Sequence, residues 1–464
     1  MSDAITLDKG NNLVVSIAPP PTSSTLDGIS ASGNFKDISA LVIGFKYWES
    51  ITQLFVQAEI DILDGSGRIN QIFSKDGDTC GIRKYCVVQV TFPDPISGTS
   101  SFDGYGRLDD NLTFTGTKSF YVSKIVEQTR RGTKDFYKLQ LFTKDAIVNS
   151  LRRIIKSYSG TMNGIVSTVV SEQLKSSKQV TVASNETTQP VRKYLAQNIL
   201  ISDVIDYACK KSQATSEPGN TSQSATAKTN QSETKSVGYT FFENYETFRF
   251  SSIYRMITPS LTADNFKTYQ QYEYSTLKPG ELGAQKIIQI SFNRGDRTGD
   301  AFTEACTGSV GNVTNKMRDP ITGTPTTRIS TLANKNPCDK YSFEGDANSV
   351  QYVSQEIQMY DFQYTNDCPD SGDGQKIESP SVKKNYTALL EYIRNNTAHA
   401  RIPGNLSLRA GDYISINIGR SEFEYDENGN QKFQAFLITS LCHSIENVNK
   451  VYTDLELYGI RTLQ

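Results

Sequence analysis

Residues 436–458 (FLITSLCHSIENVNKVYTDLELY) have a counterpart in the N-terminal half of the chain, residues 120–142 (FYVSKIVEQTRRGTKDFYKLQLF). Laid over each other without a gap, the two pair Phe120 with Phe436, Val122 with Ile438, Ser123 with Thr439 and Ile125 with Leu441. Beyond the turn they pair Lys134 with Lys450, Phe136 with Tyr452, Leu139 with Leu455 and Leu141 with Leu457. Each copy alternates apolar and polar residues on both sides of a polar turn, which predicts strand, turn, strand. A further match precedes each copy: residues 81–92 (GIRKYCVVQVTF) pair with 407–418 (SLRAGDYISINI), placing Arg83 on Arg409 and Val90 on Ile416. Alternating patterns are common in unrelated hairpins, but two blocks in the same order point to a duplicated β-module. Such a repeat constrains the architecture before any single residue is interpreted.

At 464 residues the chain exceeds what one compact core usually serves, and about three domains are expected. The aromatic content, 24 Tyr and 22 Phe against one Trp, suits a strand-rich globular protein. Residues 40–47 and 53–63 read as strands, the second with Val56, Ala58, Ile60 and Ile62 on one face and a turn at Asp64, Gly65, Ser66 and Gly67. With residues 86–92 and the hairpin at 120–142, this makes an antiparallel barrel or sandwich rather than a parallel sheet.

After Leu141 the apolar period lengthens. Ile147, Leu151, Ile154 and Ile155 suit one helix face; Ile165, Val166, Val169, Val170 and Leu174 suit another, with Thr161 as its cap. A strand at 179–183 and a helix at 202–211, with Val204, Ile205 and Ala208 inward, complete a mixed domain. Residues 213–236 contain no aromatic, Val, Ile, Leu or Met residue and read as a polar flexible loop. Residues 238–257 (GYTFFENYETFRFSSIYRMI) read as a hairpin; its Tyr239, Phe241, Tyr245, Phe248 and Phe250 would fill either a core or a subunit contact. Strands are expected at 266–274 and 286–292, an irregular stretch at 295–373, a helix at 380–398 with Tyr386, Leu389, Leu390 and Ile393 on one side, and a turn at Ile402, Pro403, Gly404 and Asn405.

The fold class expected is therefore mainly β with α+β insertions: two related antiparallel β-barrel domains plus mixed α/β domains. The divisions are an extended Ser/Pro/Gly-rich arm over 1–37, a first barrel domain over 38–143, and a mixed helical domain over 144–237. The second barrel draws on 238–258 and 400–464, with an inserted irregular domain over 259–399.

Motifs for chemistry are sparse. The sequence holds no GxSxG, HExxH, Walker or kinase signature, and only His399 and His443 could act as histidine bases. Cys442 and His443 are neighbours in a strand, so their side chains point to opposite faces and a structural histidine is expected. Asp426, Asn428 and Asn430 echo half a calcium loop but suit a hairpin tip better. Asp367, Asp370 and Asp373 could gather a hard cation or form a solvated loop. Glu422 and Glu424 alternate with Phe423 and Tyr425 as the wet side of a strand, and Gly104 to Gly106 lack the rest of a dinucleotide fingerprint. The seven cysteines are scattered without a CxxC pair. No cofactor, metal site or catalytic residue is expected.

Formal net charge is only -2, so no strong field draws the chain to nucleic acid or anionic lipid. No leader-like N-terminus and no run of eighteen apolar residues occurs, so cytoplasmic synthesis without membrane insertion is expected.

The order of parts resembles the baseplate hub protein of contractile-tailed phages, which joins the tail tube to the central spike. The residues carrying the resemblance are FFENYETFRFSSIYRM after the central helical segment, IPGNLSLRAGDYISINI after a helix, and the closing FLITSLCHSIENVNKVYTDLELYGI. AEIDILDGSGRINQIF followed by CVVQVTF is similar too. The resemblance implies a homotrimer in which each chain gives two tube-like barrels, so that three chains face a six-fold tube and a three-fold spike. It implies as partners the central spike protein, the tail tube or a tube-initiator protein, and other baseplate proteins. DNA would pass through the ring without specific binding, and the place would be the virion tail baseplate, assembled in the host bacterial cytoplasm. A receptor- or glycan-binding tail protein and a tail-associated cell-wall glycosidase are the alternatives.

Overall fold

The computed structural model describes residues 5–6, 13–21, 35–75, 81–92, 116–183, 188, 192–212, 238–257, 267–271, 286–294, 312–318, 325–331, 393, 396–417, 434–446 and 450–459. The molecule is mainly β with helical insertions, and a large curled, mostly antiparallel sheet dominates it.

The first unit consists of β1 (Val42–Ser50), β2 (Gln57–Asp64), β3 (Val87–Phe92), β4 (Gly116–Arg131) and β5 (Lys134–Phe142). They lie antiparallel in the order β1-β2-β5-β4-β3. Strict alternation sends Ala58, Ile60 and Ile62 of β2 into the core, opposite Leu141, Leu139 and Tyr137 of β5. Helix α1 (Arg68–Lys75) follows β2 and adds Ile69, Ile72 and Phe73 to the same core. The expected turn at Asp64 also starts this helix. The Asp64 carboxylate accepts from the backbone N–H of Ser66 (3.0 Å), Arg68 (3.1 Å) and Ile69 (2.8 Å). Burial alone would raise its pKa, but these donors outweigh it and hold the carboxyl below its ordinary value.

The expected N-terminal arm is partly built into this unit. Val14–Ala18 pairs antiparallel with β3, and Leu13, Val15 and Ile17 join the core, because a short alternating run sits inside the Ser- and Pro-rich text.

The middle of the chain holds α2 (Lys144–Leu151), β6 (Arg153–Gly160), α3 (Met162–Val169), β7 (Arg192–Leu200), α4 (Ile201–Lys211) and a hairpin of β8 (Tyr239–Glu243) and β9 (Phe248–Ser252). Thr161 caps α3, its hydroxyl accepting from Gly164 N–H at 3.4 Å, and Ile165, Val166, Val169, Val170 and Leu174 are all buried. Val204, Ile205 and Ala208 of α4 face the same core. One expected helix is shorter than its apolar spacing suggests. Arg152 is extended (φ -106, ψ 133), so Ile154 and Ile155 belong to β6, where alternation buries the first and leaves the second 78% exposed. Val180–Thr181 pairs parallel with β9.

The second unit is built of β10 (Gln289–Arg294), β11 (Asn396–Pro403), β12 (Tyr413–Asn417), β13 (Gln434–Glu446) and β14 (Lys450–Gly459). Its order, β10-β11-β14-β13-β12, repeats that of the first unit. Residues 396–398, expected at the end of a helix, start β11; residues 380–392 lie outside the described residues. Within the stretch expected to be irregular, Asn312–Arg318 and Pro325–Thr331 form an antiparallel pair.

The two units match residue by residue. Val122 opposes Leu141 and Ile125 opposes Leu139, as Ile438 opposes Leu457 and Leu441 opposes Leu455. The register shifts between Val122 and Lys124 and, at the same place in the repeat, between Ile438 and Ser440. Tyr85 N–H donates to Val122 O (2.7 Å) and Val122 N–H to Cys86 O (2.9 Å); Gly411 N–H donates to Ile438 O (2.8 Å) and Ile438 N–H to Asp412 O (2.8 Å). Even the positive φ recurs, +67° at Tyr85 and +86° at Gly411. A second bulge, between Ile125 and Glu127, is present in the first copy alone, where two residues (Gly132, Thr133) rather than three (447–449) separate the paired strands.

Gly404, just past β11, lies so close to β14 that a Cβ there would fall 2.3 Å from Val451 Cγ1 and 2.9 Å from the Val451 carbonyl carbon. Gly404→Ala is expected to destabilise the fold by about 1–3 kcal/mol through overpacking. A urea midpoint equal to that of the parent would contradict this packing.

Candidate assembly surfaces

The two units meet through a shared strand. On one side β13 pairs with β12 near its start, from Gln434 to Leu437, and with β1 further along, from Ser440 opposite Ser50 to Glu446 opposite Gly44. This joins both units into one continuous sheet. Leu406, Ile445 and Val451 of the second unit enter the core of the first.

A buried charge cluster sits on this seam. Glu49, 1% exposed at the end of β1, accepts from Tyr47 Oη (2.8 Å), Tyr245 N–H (2.8 Å) and Ala410 N–H (3.1 Å), and lies 4.0 Å from Arg409 Nε. Arg409 donates to the carbonyls of Leu406 (2.6 Å) and Leu408 (2.9 Å), and its guanidinium lies over the Tyr245 ring. Burial raises the Glu49 pKa, and the Arg409 charge and the three donors oppose the rise. A second buried acid, Glu243, accepts from Val56 N–H (3.0 Å), Thr143 Oγ1 (2.9 Å) and Lys178 Nζ (2.7 Å), tying the hairpin to β2 and the helical region. Nearby Asp145 is pushed up to about 6, first by burial and then by the Glu243 charge. Sequence alone hides these acids, because a carboxylate at a strand end reads as its solvated side.

The five hairpin aromatics are core. Tyr239, Phe241, Phe248 and Phe250 alternate onto one face against α3 and α4, with Tyr239 stacked on Phe250 at 4.8 Å and Phe241 on Phe248 at 5.1 Å. Tyr245 reaches the core of the first unit and meets Tyr47 edge-on. Phe242, on the opposite face, packs with Ala435, Leu437 and Tyr458 of the second unit. The hairpin is thus an internal keystone touching all three regions, and none of the five aromatics is exposed on this chain.

His443, inside β13, is 1% exposed and stacks on Tyr47. The Leu408 carbonyl, 3.4 Å from Nε2, can only accept, so Nε2 carries the proton and Nδ1 accepts from Thr453 Oγ1 at 3.0 Å. Burial, then the Arg409 charge, lowers its pKa from 6.5 to about 3. Between those values the unfolded chain binds a proton that the fold refuses, so this contribution to stability is full above pH 6.5 and lost as pH falls towards 3. Asp145 works in the opposite direction, its raised pKa adding stability as pH falls through about 6. His443→Gln is therefore expected to flatten the acid side of the midpoint-against-pH curve relative to the parent. An unchanged slope would contradict a buried neutral histidine.

His399 is exposed on β11. Asp367, Asp370, Asp373, Glu422, Glu424, Asp426, Asn428, Asn430 and Gly104 to Gly106 lie outside the described residues. Among the described residues no group of three His, Cys, Asp or Glu side chains could hold a metal, and no helix is long and apolar enough to cross a membrane.

No protein-family model and no curated protein matches the sequence. Solved structures do align with the chain. A tail protein from Neisseria meningitidis MC58 aligns over 96% of this chain and 96% of its own, at 8% identity and a TM-score of 0.50. The 43 kDa tail protein of prophage MuSo2 from Shewanella oneidensis aligns over 98% and 100%, at 8% identity and 0.47. The c3393 protein of E. coli, a component of the type VI secretion system, aligns over 90% and 74%, at 8% identity and 0.37. The chain shares the overall fold of the Neisseria tail protein.

Proposed function

We propose that this chain is a structural tail protein, the baseplate hub of a contractile tail, acting as a homotrimer. The observation that carries the reading is the duplicated unit: one polypeptide presents two five-strand units of the same strand order, hairpin register and first bulge position. Three such chains offer six similar units to a six-fold tail tube and three identical contacts to a three-fold central spike, since closed rotational symmetry demands matching patches. The fold shared with a tail protein supports the reading. The partners proposed are the spike protein, the tube or tube-initiator protein and other baseplate proteins, in a virion baseplate assembled in the host bacterial cytoplasm. A near-zero net charge suits a ring that DNA traverses without binding, because clustered lysines would hold phosphate. The role is assembly rather than catalysis.

Electron microscopy of the purified protein, alone and with a candidate spike, tests the proposal. Threefold rings with an axial opening are expected. Single compact particles in both samples would overturn it, and clearing of peptidoglycan by the protein would favour the glycosidase alternative.

A further inference from the structure

Inside one chain the first unit meets the second along a defined line, β1 lying antiparallel on residues 440–446 of β13. The duplication supplies another pair of edges of the same make. The counterpart of β1 is β10: Phe45 and Tyr47 oppose Ile60 and Ala58 of β2, as Ile290 and Phe292 oppose Ala400 and Ala398 of β11. The counterpart of the far half of β13 is residues 124–131 of β4, beyond the stretch that holds β3. Among the described residues, β10 pairs with β11 alone and residues 124–131 pair with β5 alone. Within the described residues each therefore presents one open row of backbone N–H and C=O groups, a template for another strand.

We infer that β10 of one copy of this chain pairs antiparallel with residues 124–131 of β4 of a second copy, so that the internal seam is repeated between chains. This rests on the hub reading and supplies its subunit contact. Side chains at the open edge agree. Val126 is 46% exposed and Tyr85 42% exposed, large apolar groups left in solvent. Tyr85 is the counterpart of Gly411, which beside the internal seam is buried under the hairpin, close to Phe242, Arg249 and Met256. What is covered in one unit is bare in the other. A contact that joins unlike edges is heterologous, and such contacts close into rings when the rotation allows. By sequence position Arg83 and Arg294 correspond to Arg409 and Glu49, so the pairing proposed between chains calls on main-chain bonds rather than on a second acid–base pair.

The extra bulge in β4 shifts the register by one, which places Thr129 opposite Ser291, the counterparts of Ser444 and Lys46. Directly opposed residues in antiparallel strands lie about 4.5–5.5 Å apart at Cα, within the range a disulfide spans. The full-length Thr129→Cys/Ser291→Cys variant is expected, under mild oxidation, to give covalent dimers and trimers on a non-reducing gel, with neither single variant doing so. A trimeric native mass without cross-linking would overturn the edge pairing and leave the trimer standing. A monomeric mass without cross-linking would overturn both. If the variant does not fold, hydrogen exchange on the parent decides: protection of amides in 124–131 and 289–294 supports the pairing, and free exchange there in a trimer overturns it.

Discussion

Arg409→Met is expected to destabilise the chain by about 3–5 kcal/mol, because it leaves the buried Glu49 carboxylate without its cation. Glu49 is enclosed where β1, the aromatic hairpin and the second unit converge, so no solvent can replace the guanidinium. The carbonyls of Leu406 and Leu408 lose their donor at the same time. Without the opposing Arg409 charge, burial raises the Glu49 pKa further, and the carboxyl takes up a proton more readily. The loss should therefore be largest at alkaline pH and smaller in acid. Adding Glu49→Gln should recover part of it, since an amide costs less to bury than an unpaired carboxylate. Urea unfolding of the parent, both single variants and the double variant gives the coupling. A double variant no more stable than Arg409→Met would mean that the two groups do not act as a pair.

Phe250→Ala is expected to cost about 3–5 kcal/mol, the usual penalty for emptying a buried phenylalanine site. The ring is fully enclosed, stacked on Tyr239 and set against the helices that carry Val166 and Ile205. Leucine at this position should recover much of the loss by filling most of the volume. The variant also tests the placing of these aromatics in the core rather than at a subunit contact. A core residue lowers the unfolding midpoint and leaves the mass of the assembled protein unchanged; a subunit contact would do the reverse.

How much of this could be read beforehand follows from what each feature requires of the sequence. A bulged antiparallel hairpin needs alternation in both strands, so the pairs Val122 with Ile438 and Leu139 with Leu455 were visible as letters and recur as register. The α3 stripe and its Thr161 cap were legible for the same reason. β11 was not: its first residues, NTAH, are small or polar, and they follow an apolar helical spacing that ends at Ile393. The seam was not legible either, since it depends on β13 being 13 residues long while its partner β12 has five. Length beyond the partner was the available signal, and β4, with 16 residues against six in β3, carries the same one. Glu49 and Arg409 gave no sign, because a lone charge in a strand, like one in a loop, ordinarily faces water. Their burial is a property of the seam, which local pattern does not encode.

Association of three chains is the central requirement of the hub role. Multi-angle light scattering of the full-length protein during size exclusion is expected to give three times the 51.5 kDa chain mass, alone or with a candidate spike protein. A single chain mass under both conditions would contradict it.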